Sequence, residues 1–228
     1  MAQMAQMALA LLMVAALAAC AGSDNAQVTT PAQQLAAAKT KADATPSIHL
    51  TLRSSGIPAS ANGVLGADGS GTHAPAFKGT LDVRISGFGA KVEVVSLDKL
   101  LYLKLPFTTE FLPADPKEYN APDPAQLFAA KGGVASLLTA TTNPVEGTKT
   151  RLGPDVLKTI TGMLPGTRVA KLLNIGDATK TFKVTYGITD PGGELRTVTM
   201  TGPFYKGATS TYTLTLDKYG APVEISRP

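Results

Sequence analysis

Aliphatic and polar side chains alternate through Ile48-His49-Leu50-Thr51-Leu52-Arg53, which places three aliphatics on one face of a β-strand. The same period of two returns in Leu81, Val83 and Ile85 against Thr80, Asp82 and Arg84. It continues in Val92 and Val94 after a Gly87-Phe88-Gly89 turn, and in Leu101, Leu103 and Leu105 after Leu97-Asp98-Lys99. Alternating runs joined by such short turns predict an antiparallel meander. Between the first two of these runs, Gly63 to His73 predicts a glycine-rich strand in which only Val64 and Leu65 are bulky. A second group of strands is predicted at Thr148-Lys149-Thr150, at Val156 to Met163, around Phe182, Val184 and Tyr186, around Val198 and Met200, and through Tyr212, Leu214 and Leu216. Turns at Asp190-Pro191-Gly192-Gly193 and Lys206-Gly207 punctuate that group.

Helical spacing occurs in three places. Pro31 suits the first position of a helix that runs through AQQLAAAKTKADA until Thr45-Pro46 stops it. From Pro106 to Pro144 the alternation is lost, and the Pro- and Asp-rich stretch predicts a long connection. Within it, Leu127 and Phe128, then Val134, Leu137 and Leu138 beyond Gly132-Gly133, predict two short helices. Gly166 to Leu173 predicts one or two helical turns more. The count is eight to ten strands in two runs and a few short helices, without a repeat of fixed period. An antiparallel sheet with one apolar face must cover that face. The fold class is therefore α+β, with a strongly curved antiparallel β-sheet, a half-barrel, wrapped over a few helices; Gly66, Gly69 and Gly79 would permit the curvature. Helices too few to fill the concave side leave a hydrophobic cavity there.

The amino-terminal pattern is different. Ala8 to Cys20 is an uncharged apolar run of about thirteen residues, a length that suits a signal-peptide core and falls short of a bilayer span. It ends in Leu17-Ala18-Ala19-Cys20, which fits a lipobox, the site at which a bacterial lipoprotein cysteine is alkylated with diacylglycerol and the leader removed. Cys20 is the only cysteine, so it cannot form an internal disulfide. Residues 1–19 carry no charge, unlike the basic start of an ordinary leader. The organisation expected is a leader over 1–19, a lipidated tether of small polar residues over 20–31, and a single domain over 32–228, held on the outer face of the cell membrane.

The formal charge of +4 comes from 21 basic and 17 acidic residues with no basic run, and there is no tryptophan. Nucleic acid is excluded as a partner, since its recognition calls for a clustered basic stripe with interleaved aromatics. Catalysis lacks an apparatus. The two histidines, His49 on the polar face of its strand and His73 in a loop, are expected to be exposed. Asp115, Glu118 and Asp123 in the Pro-rich connection are expected to be turn and cap residues. Neither a nucleophile elbow nor a phosphate loop occurs, so the chain is not expected to be an enzyme and no metal or cofactor is called for. The aliphatic stripes fit a filled core as well as a cavity.

The chain resembles the mycobacterial LppX/LprA/LprF/LprG lipoprotein family. The resemblance is carried by the Cys20 lipobox, Ser47-Ile48-His49-Leu50, Asp98-Lys99-Leu100-Leu101-Tyr102, and Tyr119-Asn120-Ala121-Pro122-Asp123-Pro124-Ala125-Gln126. Lys158-Thr159-Ile160-Thr161-Gly162 and Leu216-Asp217-Lys218-Tyr219-Gly220-Ala221-Pro222-Val223 complete it. Tyr186 and Tyr219 stand about where that family tends to have tryptophan. The resemblance implies a half-open β structure whose hydrophobic cavity binds acylated lipids or glycolipids. It also implies their transport through the cell envelope, with an efflux transporter as a further partner. It sets Leu81, Val83 and Ile85 against that cavity, with Val92, Val94, Leu101 and Leu103 beside them. The contrasting expectation is a non-carrier surface lipoprotein, an adhesin or envelope spacer, with a solid core.

Overall fold

The computed structural model describes residues 29–119 and 121–228. The leader, Cys20 and most of the expected tether lie outside the described residues, as does Asn120. Helix α1 (Pro31–Asp43) opens with Pro31 in its first turn, where a missing N–H costs nothing. Thr30 and Gln33 cap it reciprocally, each side chain bonding the other's backbone. Leu35, Ala38 and Ala42, at helical spacing, are its buried face.

Five strands follow one another as a meander, four long and one short: β1 (Ser47–Ser55), β2 (Gly63–Thr72), β3 (Ala76–Ile85), β4 (Phe88–Leu97) and the shorter β5 (Leu100–Lys104). A short β6 (Leu112–Ala114) leads into 3₁₀ turns at Pro116–Tyr119 and Pro124–Phe128, then α2 (Ser136–Ala140). The second run comprises β7 (Thr142–Glu146), β8 (Thr150–Leu152), β9 (Asp155–Pro165), α3 (Gly166–Leu173), β10 (Thr181–Thr189), β11 (Leu195–Tyr205) and β12 (Ala208–Asp217). All belong to one twelve-stranded antiparallel sheet in the order β6-β5-β4-β3-β2-β1-β12-β11-β10-β9-β7, with β8 also beside β9. The first strand pairs with the last, Leu50 opposite Leu216 and Leu52 opposite Leu214, and this joins the two meanders.

The described residues form twelve strands where eight to ten were expected, because β6 and β7, three and five residues long and each containing proline, gave no alternation; β8, expected at 148–150, is Thr150–Leu152. Leu105 is not a strand residue. Pro106 follows it without an N–H for the ladder, β5 stops at Lys104, and Leu105 is 46% exposed. The β3–β4 turn is Ser86-Gly87, both with positive φ, so Phe88 begins the next strand instead of forming the turn. A register shift between Val64 and Gly66 kinks β2, as the glycine there allows. Gly69 and Gly79 serve a different purpose, described below.

Candidate functional site

One face of the sheet is apolar from edge to edge, and α1, α2 and the Pro124–Phe128 turn pack on it. Cross-strand register builds this face pair by pair: Ile160 opposite Tyr186, Tyr186 opposite Val198, Val198 opposite Leu214, Leu214 opposite Leu52. On the other side of β2, Leu81 lies opposite Val92, Val83 opposite Ala90, Ile85 opposite Phe88, and Val94 opposite Leu103. Register thus brings the seven residues singled out in the sequence onto this same face. Val92, Val94 and Leu101 are buried; Leu81, Val83 and Leu103 are half-buried; Ile85, at the end of β3, is 47% exposed.

Between these two aliphatic walls runs β2, whose contribution to the face is Ala67, Gly69 and Gly71. Beyond the Ala67 methyl it is a trough without side chains, and two phenyl rings lie in it. A Cβ on Gly71 would stand 2.3 Å from the Phe128 ring, and one on Gly69 2.6 Å from the Phe77 ring. Gly79 is equally committed, since its Cβ would meet Phe77 at 2.9 Å. The two rings stack with centroids 5.9 Å apart. Gly69 and Gly79, which were expected to curve the sheet, therefore make room for an aromatic ring, while Gly66 sits at the kink of β2.

Phe128 comes from outside the sheet, on the segment 121–128 that crosses the apolar face. Polar clasps fasten that segment. The buried Ser96 hydroxyl donates to Asp123 Oδ1 at 2.5 Å, and the same carboxylate caps the turn by accepting from Ala125 N–H. Asn174, just past α3, donates to the Ala121 carbonyl at 3.1 Å. His73 sits with Nδ1 2.6 Å from the Phe128 carbonyl and Nε2 2.8 Å from the Ala42 carbonyl, bridging the segment to α1. His73 is thus a partly buried bridge where an exposed loop residue was expected. His49 departs in the same way: it faces away from the helices, yet it is wedged between Asp217 at 2.6 Å and Asp68 at 3.3 Å.

An apolar cavity beneath the segment, lined by Ile48, Leu50, Leu127, Phe128, Val134 and Leu216 among others, measures about 30 Å³. That is room for one water, against roughly 300 Å³ at the lower end for ligand pockets. The expected hydrophobic cavity is closed here, because Phe77 and Phe128 fill the trough and Leu35, Leu137 and Leu138 fill the space under the helices. A hollow of about 400 Å³ lies elsewhere, between the 72–76 turn, Leu97 and the tail residues Val223 and Ile225.

Tyr186 is fully buried, and its hydroxyl bonds Thr141 Oγ1 at 2.7 Å, which fixes the end of α2 to β10. Tyr219 donates to the Leu195 carbonyl. Burial pushes both phenols well above their ordinary range. Asp115 accepts from Lys117 N–H at 2.9 Å, a turn-capping contact like that of Asp123. Among the described residues no group of three His, Cys, Asp or Glu side chains could hold a metal ion, and no helix is long and apolar enough to cross a membrane.

The sequence profile of the LppX_LprAFG lipoprotein family matches residues 30–225. No curated protein matches the chain. Among solved structures, LprF from Mycobacterium bovis superposes with a TM-score of 0.72 at 17% identity, over 87% of this chain and 96% of that one. The lipoprotein LppX from Mycobacterium tuberculosis gives a TM-score of 0.65 at 20% identity, over 86% of this chain and 98% of that one. At these identities the two structures speak for the fold.

Proposed function

Since the chain belongs to the LppX_LprAFG lipoprotein family, we propose that it is a membrane-anchored carrier which takes the acyl chain of a lipid or glycolipid between the apolar sheet face and the 121–128 segment. Cys20 bears the anchor, and the protein works on the outer face of the cell membrane, passing its lipid through the envelope with an efflux transporter. The observation that carries this reading is the side-chain-free trough of β2, flanked by aliphatic walls and occupied by a ring from a separate, polar-clasped segment. Withdrawal of Phe128 opens the trough over Gly71 without breaking any strand pair, while Phe77, on β3, stays over Gly69. Leu81, Val83, Val92, Val94, Leu101 and Leu103 form one wall of the space, and Ile85 its rim.

The energetics allow it. Burial gains about 0.8 kcal/mol per CH₂, so ten methylenes of one chain gain about 8 kcal/mol gross, which offsets loss of the Phe128 contacts at about 3–5 kcal/mol. Native mass spectrometry of the non-acylated protein tests the proposal: a co-purified mass matching an acylated lipid is expected. Leu81→Trp should abolish that mass while leaving the melting temperature of the lipid-free protein nearly unchanged. The present cavity of about 30 Å³ favours a second reading, a surface lipoprotein with a solid core. In that case no lipid is recovered, and Leu81→Trp overpacks the core at a cost of about 1–3 kcal/mol.

A further inference from the structure

Both meanders turn at the end of the sheet where β1 finishes and β2 begins, and apolar side chains stand in the open there. Ile85 and Phe88 face each other across the β3–β4 tip, 47% and 81% exposed, and Leu105 and Phe107 in the next turn are 46% and 100% exposed. A group of exposed apolar side chains on neighbouring turns marks an interaction site where single ones do not. Two features show that their exposure is built in. Thr108 closes the Leu105–Thr108 turn, donating its N–H to the Leu105 carbonyl at 3.1 Å while its hydroxyl accepts from Leu105 N–H at 3.0 Å. The β3–β4 tip is braced from the neighbouring loop, with Ser86 N–H donating to Asn62 Oδ1 at 2.7 Å and Arg84 donating to the Pro58 carbonyl at 3.1 Å.

Ile85 and Phe88 continue the apolar face described above, since their alternation is in phase with Leu81, Val83 and Val92. The wall runs from the interior out into solvent without a polar break on these strands. Basic side chains stand at the same end, on the β9–β12 part of the sheet. Exposed Arg168 and Lys171 on α3, Lys180 beyond it, and Lys206 in the β11–β12 turn form no ion pair among the described residues, against the exposed acidic groups Glu110 and Asp177. Lys91 and Lys104 there are paired with Asp82 and Glu93. Protruding aromatics and unpaired cations at one end of a sheet are the chemistry of a surface seated at the headgroup and acyl boundary of an anionic bilayer.

We infer that this end of the sheet docks on the membrane surface, with Phe88 and Phe107 inserted among the acyl chains and the unpaired cations at the headgroups. The role assigned to the surface rests on the carrier reading: a lipid tail would slide from the bilayer along Phe88 and Ile85 into the space behind Leu81 without crossing water. The docking itself can be measured apart from cargo.

The chain has no tryptophan, so a single introduced indole reports its own surroundings. The full chain carrying Phe107→Trp is reconstituted in vesicles of phosphatidylglycerol and phosphatidylcholine doped with chain-brominated lipid. Its emission should shift to the blue and be largely quenched, and Phe88→Glu added to it should restore most of the signal. Leu100→Trp, at a position 44% exposed at the start of β5 at the opposite end, should be unaffected. Equal quenching of both reporters, or of neither, overturns the inference. So does a blue-shifted Phe107→Trp without vesicles in a protein that sediments as a dimer, which would make the patch a contact between copies. Quenching without any co-purified lipid would leave the docking standing and sink the carrier reading, while lipid without quenching would do the reverse.

Discussion

Tyr186 shows how much one polar atom can position. Its ring is a core residue, but the hydroxyl reaches Thr141 and ties a helix end to the sheet. Tyr186→Phe should leave the Thr141 hydroxyl its own bond to the Leu137 carbonyl and cost about 1 kcal/mol, read as a lowered midpoint in urea with an unchanged slope. His73 is the bridge between the crossing segment and α1, and a shorter side chain cannot span the gap. His73→Ala should speed amide exchange at both Phe128 and α1 while leaving β10 and β11 protected. Neither residue's role is visible in its neighbours along the chain, because each partner is at least thirty positions away.

Among the elements, the segment 121–128 is distinctive in lying across the sheet face without joining the ladder. Its attachment rests on Asp123, His73, Asn174 and the Phe128 ring, so it can release as a unit while the strands stay paired. Ser96→Ala removes a buried, charge-assisted donor, and bonds of this kind contribute about 1.5–3 kcal/mol. On the carrier reading, the variant should take up a fluorescent fatty acid faster than wild type; an unchanged uptake rate would show that the segment does not gate the face. The glycines of β2 belong to the same device. Gly71→Val would push into Phe128, so the expected result is a displaced segment, seen as loss of the His73–Phe128 contact by NMR.

Over the whole molecule, the pairing of β1 with β12 makes one continuous face out of two meanders, and burial of that face accompanies burial of three phenols. Desolvation raises Tyr186, Tyr212 and Tyr219 above their ordinary value near 10. A group with a raised folded-state pKa contributes stability that is complete below its unfolded pKa and is lost as pH climbs through the folded one. Stability should therefore hold up to about pH 10 and fall above it. The tyrosinate absorbance of these three should rise together with loss of structure; a rise that precedes unfolding would contradict their burial. At the same scale, Cys20→Ala is expected to move the protein from the membrane to the soluble fraction, and an unmodified, soluble wild type would refute the proposed anchor.

Alternation alone determined most of the strands of this protein, since a sheet with one covered face forces apolar residues onto every second position. It likewise marked Pro31 as a helix start and placed Leu81, Val83 and Val92 on a common stripe. Short strands interrupted by proline, β6 and β7, escaped it, because three to five residues carry too little period. What only the tertiary structure decided is the state of the apolar face. Glycines in β2 read as freedom to bend, yet their meaning depends on Phe77 opposite and on Phe128, which arrives from more than fifty residues away. The same holds for the two histidines, whose burial was set by Asp217, Asp68 and two distant carbonyls. Periodicity reports which side of a strand a residue faces. It carries no information about what stands against that side, and for this chain that is the difference between an open lipid site and a closed one.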